Sequence, residues 1–251
     1  MELLDPEGLA ATAVITVVAG LAHGISGFGF PLVSTPTVTL ITDVRIAVMV
    51  TLFPNLVVNA AGAFGGGDWR ATLRAYWRMP LYVLLGTIVG SQVVLVAPAN
   101  PLRLLLAAMI VVYLMQDRIK RIDWHALVRK PGAEPLVGLL AGFLSGTVNV
   151  MLPPLLIYFT ALGVGPAAMT QVLNACFLVG KSTQAATFAA HGQFGVGTFM
   201  TVLPLCVLAL LGYALGARLA PRVPPVAYKR MIRAVLWALA VLLVAQVAWP
   251  R

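Results

Sequence analysis

Long apolar runs alternate along the chain with short clusters of polar and charged residues. The runs at 79–98, 196–217 and 234–248 contain no charged residue. A helix that spans a membrane needs ~20 predominantly apolar residues, and several runs approach or exceed that length. Composition agrees, because 60% of the 251 residues are hydrophobic, 10% are charged and the mean hydropathy is +0.94. The pattern predicts an all-α, polytopic membrane protein rather than a soluble domain.

Four of the ten apolar segments are too short to cross a membrane comfortably, and they form two adjacent pairs. The pairs are 8–22 with 31–41, and 135–146 with 152–163. A stretch rich in glycine, serine and proline interrupts each pair. We name these stretches the first break (His23 to Pro31) and the second break (Ser145 to Pro154). Their matching positions in the two halves of the chain predict an internal duplication.

Polar residues that recur at a constant spacing support this duplication. At an offset of 119, five residues of the first half fall on identical residues of the second, and at an offset of 126 two glycines do the same. The matched pairs are Ala22 with Ala141, Ser26 with Ser145, Gly27 with Gly146, Thr51 with Thr170, Asn55 with Asn174, Gly86 with Gly212 and Gly90 with Gly216. We expect a first transmembrane repeat at residues 1–117, a basic loop at 118–134 and a second repeat at 135–251.

The basic residues predict how the repeats are oriented. If each broken pair is a single spanning helix, the repeats are parallel and the basic clusters fall on both sides of the membrane. If each pair is instead a re-entrant hairpin followed by three spans, the repeats are inverted and thirteen basic residues share one side, against three on the other. The thirteen are Arg70, Arg74, Arg78, Arg118, Lys120, Arg121, Arg129, Lys130, Arg218, Arg222, Lys229, Arg230 and Arg233, and the three are Arg45, Arg103 and Arg251.

Positive residues are enriched on the cytoplasmic side of membrane proteins, which favours the inverted hairpins. We therefore expect a multi-pass protein of the bacterial inner (cytoplasmic) membrane. Both termini, including the acidic residues near Met1, are predicted outside, and the central loop is predicted in the cytoplasm. The same clustering explains the net charge of +9 without a nucleic-acid partner.

Broken helices at matching positions of inverted repeats are typical of the binding sites of secondary transporters. Non-helical backbone at membrane depth is tolerated only beside protein or a water-filled cavity, and free amides at a helix start favour anions. The predicted substrate-binding residues in the breaks are Ser26, Gly27, Ser145, Gly146 and Asn149. The alternative for the glycines is a seam of close helix packing.

Two neighbouring segments carry polar stripes at helical spacing. Thr51, Asn55 and Asn59 share one stripe, and the other consists of Thr170, Gln171, Asn174 and Lys181. We include Thr51, Asn55, Thr170, Gln171 and Asn174 in the predicted substrate site. For Asn59, a hydrogen bond that only joins helices is an equal alternative.

Lys181 is the one charged residue deep inside a predicted span, 166–190. Its burial costs at least ~2.5 kcal/mol on insertion scales, and no acidic residue lies in the other spans to neutralise it. A buried ammonium of this kind predicts a polar cavity and an anionic partner, which we expect to be the substrate. The alternative is that the side chain extends along the helix to the outer interface.

The remaining chemistry in the sequence is sparse. His23 at the first break is either a proton-coupling group or a neutral cap of a half-helix. The three histidines are scattered, and Cys176 and Cys206 lie alone in apolar segments. We expect no metal site, no cofactor and no catalytic constellation, which argues against an intramembrane enzyme.

The first break resembles the glycine-rich break of the TauE/SafE family of sulfite and organosulfonate exporters, also called the toluenesulfonate uptake permease group. The residues that carry the resemblance are Gly20-Leu21-Ala22-His23-Gly24-Ile25-Ser26-Gly27-Phe28-Gly29-Phe30-Pro31, with an echo at Gly138-Leu139-Leu140-Ala141-Gly142-Phe143-Leu144-Ser145-Gly146. The likeness covers nearly the whole chain in length, duplication and basic central loop. It departs at Gly27-Phe28-Gly29, where the family commonly has three glycines, and this leaves the substrate open.

The resemblance implies a secondary transporter, expected to export a small sulfur-containing anion such as sulfite or an organosulfonate (sulfoacetate). We expect alternating access without ATP, because the chain has no GxxxxGK[ST] phosphate loop. An anion channel, or a transporter of another small anion, is the alternative. The expected partners are the anion, membrane lipid and a coupling ion, with H⁺ and Na⁺ both open, and a homodimer is compatible with the sequence.

Overall fold

A computed structural model describes residues 4–64, 68–119 and 124–249, with the side chain of Val196 excepted. Lys120, Arg121 and Arg251, which contribute to the charge count above, lie outside these described residues, as do the first three residues. Throughout the described ranges the secondary structure is helical, without a strand, so the predicted all-α fold is confirmed.

Thirteen α-helices and one 3₁₀ turn make up the described part of the chain. They are α1 (Pro6–Ser26), α2 (Phe30–Ile41), α3 (Val44–Phe64), α4 (Trp69–Tyr76), α5 (Arg78–Val96), α6 (Ala99–Leu114), α7 (Gln116–Ile119), α8 (His125–Val128), α9 (Ala133–Val148), α10 (Leu152–Ala161), α11 (Pro166–Ala190), α12 (Val196–Leu219), the 3₁₀ turn (Ala220–Arg222) and α13 (Pro225–Ala248). Five helical stretches are long and apolar enough to cross a membrane: Pro6–Ser26, Val44–Phe64, Arg78–Val96, Gly197–Arg222 and Pro225–Ala248.

The first helix is longer than its apolar run predicts. Asp5 caps α1, its Oδ1 accepting from the amide of Gly8 at 2.9 Å, and Pro6 at the first position suits a helix start. The helix continues to Ser26 and ends where Gly27 adopts a left-handed conformation with φ 79°. The prediction that 8–22 is too short to cross is therefore wrong, since Pro6–Ser26 has 21 residues.

Both breaks are shorter than predicted. Only residues 27–29 are non-helical in the first, and only residues 149–151 in the second. Glycine lowers helix propensity in water, but Gly24 and Gly146 remain helical because another helix packs directly against each of them. Glycine in these stretches therefore marks close packing as well as chain breaks.

Glycines form two matching seams between parallel helices. In the α1–α12 seam, a Cβ on Gly20 or Gly24 would overlap the backbone carbonyl of Ala209 or Tyr213. In the α5–α9 seam, a Cβ on Gly142 would overlap the carbonyl of Val83 in the same way. The residue numbers of the contacting positions increase in the same direction along both helices of each seam, so the helices run parallel. Close contacts through small residues of this kind are typical of membrane helices.

The contacts of the two seams correspond to each other at constant residue offsets. Gly20 packs on Ala209 as Gly142 packs on Val83, and Gly24 packs on Tyr213 as Gly146 packs on Thr87. These equivalences correspond to an offset of 122 for α1 and α9, and of 126 for α12 and α5. The offset of 126 is thereby supported, whereas the offset of 119 is wrong by three residues. Ser26 and Ser145 are therefore not structural counterparts. The same holds for Asn55 and Asn174, because α3 and α11 also begin 122 residues apart, at Val44 and Pro166.

The central helices of the two halves, α3 and α11, run antiparallel. Gly62 near the end of α3 lies against Asn174 in the first half of α11, while Phe53 contacts Phe194 beyond the end of α11 at a ring-centroid distance of 5.2 Å. Helices of one half also pack against helices of the other half in equivalent pairs. Helix α1 packs on α12 as α9 packs on α5, and α6 packs on α13. Antiparallel counterparts are what inverted repeats require, and the inversion across the membrane stays a prediction.

Candidate functional site

The two breaks contact α11 at different heights. In the first, the carbonyl oxygen of Gly27 accepts from Asn174 Nδ2 at 2.7 Å. In the second, Asn149 accepts from Lys181. Asn174 and Lys181 are seven residues apart, about 10 Å along a helix, and they lie on either side of the middle of α11. The two breaks therefore contact α11 at two separate points rather than at one.

Lys181 is fully buried at the second break, so extension to the outer interface is excluded. Its ammonium donates to the carbonyl oxygen of Ser145 at 3.1 Å, to Asn149 Oδ1 and to Gln184 Oε1 at 2.6 Å. All three acceptors are neutral, so the charge is solvated by the protein but not neutralised. Two of them belong to the C-terminal end of α9, where the helix dipole favours a cation.

Asn149 joins the second break to two helices of the first half of the chain. Its Nδ2 donates to Thr35 Oγ1 of α2 and to Thr51 Oγ1 of α3, both at 3.1 Å. Its backbone is left-handed, with φ 61°, the one positive φ of a non-glycine residue in the part of the chain that the structure describes. Asn adopts this conformation more readily than most residues because its short side chain can hydrogen-bond locally.

Two members of this cluster were missed in the sequence. Gln184 Nε2 donates to the carbonyl of Gly146 at 2.8 Å while its Oε1 holds Lys181, and Thr35 bonds both Asn149 and Thr51. The position of Gln184, one turn after Lys181 on the same helix face, was an available signal. Thr35 lies in an apolar run, and only the folded contact reveals it.

A second polar cluster surrounds the first break. Asn174 donates to Gly27, and a Cβ on Gly62 would lie 2.7 Å from Asn174 Oδ1, so the amide fills the space that a larger residue would occupy. Thr170 packs on Gly27. His23 is buried with its ring edge-on to Tyr213 at a centroid distance of 5.6 Å.

Several buried polar atoms on α1, α3, α9 and α11 have no hydrogen-bond partner among the described residues. They are both ring nitrogens of His23, Asn55 Nδ2, Asn59 Oδ1, Asn174 Oδ1 and Ser145 Oγ. His23 thus does not cap a half-helix through its ring, as one of the two alternatives required. Buried polar groups are normally paired, so these atoms are candidates for contact with a polar ligand.

A cavity of about 480 Å³ reaches the first break from the end of the molecule where α6 ends and α13 begins. Its polar lining is Ser26, Tyr113, Gln116, Thr160, Thr170, Tyr228 and Lys229, and its apolar lining includes Ile25, Phe28, Leu156 and Met169. Tyr228 donates to the carbonyl of Ala22 at 2.9 Å. The volume lies within the range of small-molecule sites, and Lys229 supplies its positive charge.

A second cavity, also of about 480 Å³, lies between α8 and the α9–α10 pair. Its lining is almost entirely apolar, with Trp124, Leu136 and Ile157 among its residues. None of the residues predicted to bind substrate lines it, so the site is built around the first cavity and the two breaks.

The structure separates the predicted site residues into groups. Thr51, Ser145, Gly146, Asn149 and Lys181 come together at the second break, and Gly27, Thr170 and Asn174 come together at the first. Ser26 lines the cavity while its hydroxyl donates to the carbonyls of Ala22, at 2.8 Å, and Phe28. The structure has Asn59 donating to the side chain of Asn55 within α3.

Two predicted site residues have a structural role. Gln171 accepts from Thr72 Oγ1 at 2.7 Å, which joins α4 to α11. The Cα of Gly146 faces the seam, where an added Cβ would lie 2.6 Å from the amide nitrogen of Ser91. The packing alternative therefore holds for Gly146, although its carbonyl bonds Gln184.

The fold and the buried polar breaks define a multi-pass α-helical membrane protein. The family described as sulfite exporter TauE/SafE matches residues 12–243. The chain belongs to this family and is a membrane transporter. Searches of curated proteins and of solved structures returned no match.

Proposed function

We propose that the protein exports a small sulfur-containing anion, sulfite or an organosulfonate such as sulfoacetate, across the cytoplasmic membrane by alternating access. Family membership supports the sulfur anion. The observation that carries the proposal is the cavity that leads from the Lys229 end of the molecule to the first break. We place this end in the cytoplasm, because most of the basic residues of the chain lie there.

Lys229 attracts the anion to the cavity, which it lines directly. The charge of the neighbouring Arg233 is compensated by Asp117 at 2.7 Å. Surface charges of one sign raise the local concentration of an oppositely charged solute. An anion that has reached Lys229 next meets Thr170, and the hydroxyls of Ser26 and Tyr228 become donors to it when they release the carbonyl of Ala22.

Beyond the cavity, the buried polar atoms receive the anion. Asn55 Nδ2, Ser145 Oγ and a ring N–H of His23 are donors without partners among the described residues. Lys181 contributes through its charge, which its neutral partners leave uncompensated. At ~10 Å and an effective dielectric constant of ~20, that charge stabilises a monoanion by on the order of 1–2 kcal/mol, close to the ~2.5 kcal/mol that its burial costs.

The opposite end of the route is closed. Asn149 ties the second break to α2 and α3, while Lys181 and Gln184 tie it to α11. Phe53, Phe194 and Phe199 pack together beyond this network. We assign the structure to an inward-open state in which export begins, with inverted repeats whose relative movement opens the other side.

Proton coupling through His23 is part of the proposal. The ring is buried in the last turn of α1, directly before the first break, and imidazole titrates near physiological pH in water. Export driven by an imposed pH gradient and lost in His23→Gln, with binding retained, is the expected result. Transport that follows a sodium gradient and ignores pH would assign Na⁺ instead.

Flux of ³⁵S-sulfite and labelled sulfoacetate in proteoliposomes tests the function. We expect saturable flux with counterflow, and a KM raised about tenfold in Lys229→Gln. Lys130→Gln, at the same end of the molecule but outside the Lys229 cavity, is the matched control and should behave as wild type. Ohmic current without counterflow would indicate a channel, and the absence of flux for every sulfur anion would overturn the proposal.

A further inference from the structure

Arg103 and Lys229 occupy the same position in the two repeats. The helices α6 (Ala99–Leu114) and α13 (Pro225–Ala248) begin 126 residues apart, which is the offset that the glycine seams fix for the preceding helices. Arg103 and Lys229 are each the fifth residue of their helix. Because α6 and α13 pack side by side and antiparallel, these two residues lie at opposite ends of the pair.

The two ends of this helix pair differ in packing. At the Lys229 end, Tyr113 and Tyr228 line the open cavity. Their counterparts at the same offset are Leu239 and Leu102, which are 5% and 3% exposed and belong to the apolar core. The helix pair therefore borders an open cavity at its Lys229 end, whereas leucine side chains fill the equivalent space at its Arg103 end.

Hydrogen bonds also close the Arg103 end. Gln246 Nε2, near the end of α13, donates to the carbonyl of Leu40 at 3.0 Å. The guanidinium of Arg45 donates to the carbonyl of Ala97, just before α6. These bonds join the α2–α3 connection to the ends of α13 and α5, at the place where a counterpart cavity would open.

Arg103 itself has no carboxylate within ion-pair distance and no hydrogen-bond partner among the described residues, and its Nε is buried. Arg103 is partly exposed at this end, and of its guanidinium nitrogens only Nε is buried without a partner. It is also one of only two basic residues in the described part of the chain at this end, and the other, Arg45, is bonded to Ala97. Packing alone gives no reason for an arginine here.

We propose that Arg103 is the anion-binding residue of an outward-open cavity, the counterpart of Lys229 in the inward-open one. The inference rests on the proposed function, because it assigns a site to the far end of the same transport route. Exchange of conformation between the repeats turns the closed Arg103 end into a cavity bounded by the second break, α2, α3, α6 and α13. The planar guanidinium offers two parallel N–H donors to two oxygens of a sulfite or sulfonate group.

Sided kinetics test the assignment in vesicles of both orientations. Arg103→Gln should raise the KM for sulfite presented at the outer face about tenfold, with little change at the inner face. Lys229→Gln should show the reverse, and Arg103→Lys should recover part of the outer-face affinity. An Arg103→Gln variant that affects both faces equally, or neither, would overturn the proposal.

Thiol labelling tests the cavity without relying on transport. In a Cys176→Ser/Cys206→Ser background, Leu102→Cys should react with a membrane-impermeant thiosulfonate added outside, and Ile110→Cys, buried at the middle of α6, should not. The sulfonate-bearing reagent should react faster than its trimethylammonium analogue, and Arg103→Gln should abolish that preference. Labelling with this preference but without sulfur-anion flux would refute the proposed substrate and retain the anion site, whereas unreactive Leu102→Cys would refute the site.

Discussion

The ammonium of Lys181 donates to the side chain of Asn149, the residue at which α9 ends in a left-handed turn. The contact places a buried cation at the negative end of a helix dipole, where neutral oxygens solvate it. Lys181 thus stabilises a chain break and also keeps an uncompensated charge on the route that we propose for the anion. Both roles are open to test by mutation.

Replacing Lys181 with methionine should lower both stability and transport. Ser145 O, Asn149 Oδ1 and Gln184 Oε1 lose a donor, and a buried acceptor without a partner costs roughly 1–3 kcal/mol. Removal of the buried charge offsets part of that cost, so we expect a melting temperature a few degrees lower in detergent and flux near background. A more stable variant that still transports would show that the ammonium serves neither role.

Asn149 should tolerate glycine better than alanine. Its φ of 61° costs alanine roughly 1–2 kcal/mol in left-handed strain and glycine almost nothing. Both variants lose the bonds to Thr35 and Thr51. The difference in stability between them therefore measures the cost of the left-handed backbone conformation. Thermal unfolding should rank wild type above Asn149→Gly and Asn149→Gly above Asn149→Ala, and equal values for the two variants would contradict the backbone argument.

The glycine seams should be intolerant of a single methyl group. A Cβ on Gly142 would overlap the carbonyl of Val83, which is backbone and cannot rotate away. Gly142→Ala is expected to reduce the yield of monodisperse protein severely. Gly197→Ala is the matched control, since this glycine is also helical but has nothing within 4 Å of the added Cβ. Normal yield of Gly142→Ala would show that the helices separate easily.

The sequence predicted the helical class, the bounds of α11 and the burial of Lys181, because long apolar runs and a lone charge are local signals. It did not predict the register of the repeats. A slip of three residues is 300° around a helix, close to a full turn, so polar residues still match polar residues at the wrong offset. Gly24 and Gly146 are the equivalent residues of α1 and α9. Their equivalence is visible only from the helices that pack against them.

The sequence predicted that most of these polar side chains are buried, but it did not predict how they are arranged. Polar stripes on two helices show which side chains face inward, yet they do not show that Asn174 and Lys181 serve different breaks. Likewise, the three neutral acceptors of Lys181 come from two distant segments of the chain. Prediction of an anionic partner assumed that only opposite charge can stabilise a buried ammonium, whereas carbonyl oxygens at a helix end also do so.

Gly27→Ala should narrow the passage from the cavity to the buried polar cluster. The residue has φ 79°, and an added Cβ would lie 2.8 Å from Thr170 Cγ2, so the variant suffers both backbone strain and a clash. Thr170→Ser removes that methyl group and should recover part of the transport lost in Gly27→Ala, whereas Thr170→Ser alone should transport nearly as wild type. The measurement is the initial rate of ³⁵S-sulfite flux, normalised to folded protein, across the double-mutant cycle. Losses that simply add would mean that Gly27 and Thr170 do not meet on the transport route.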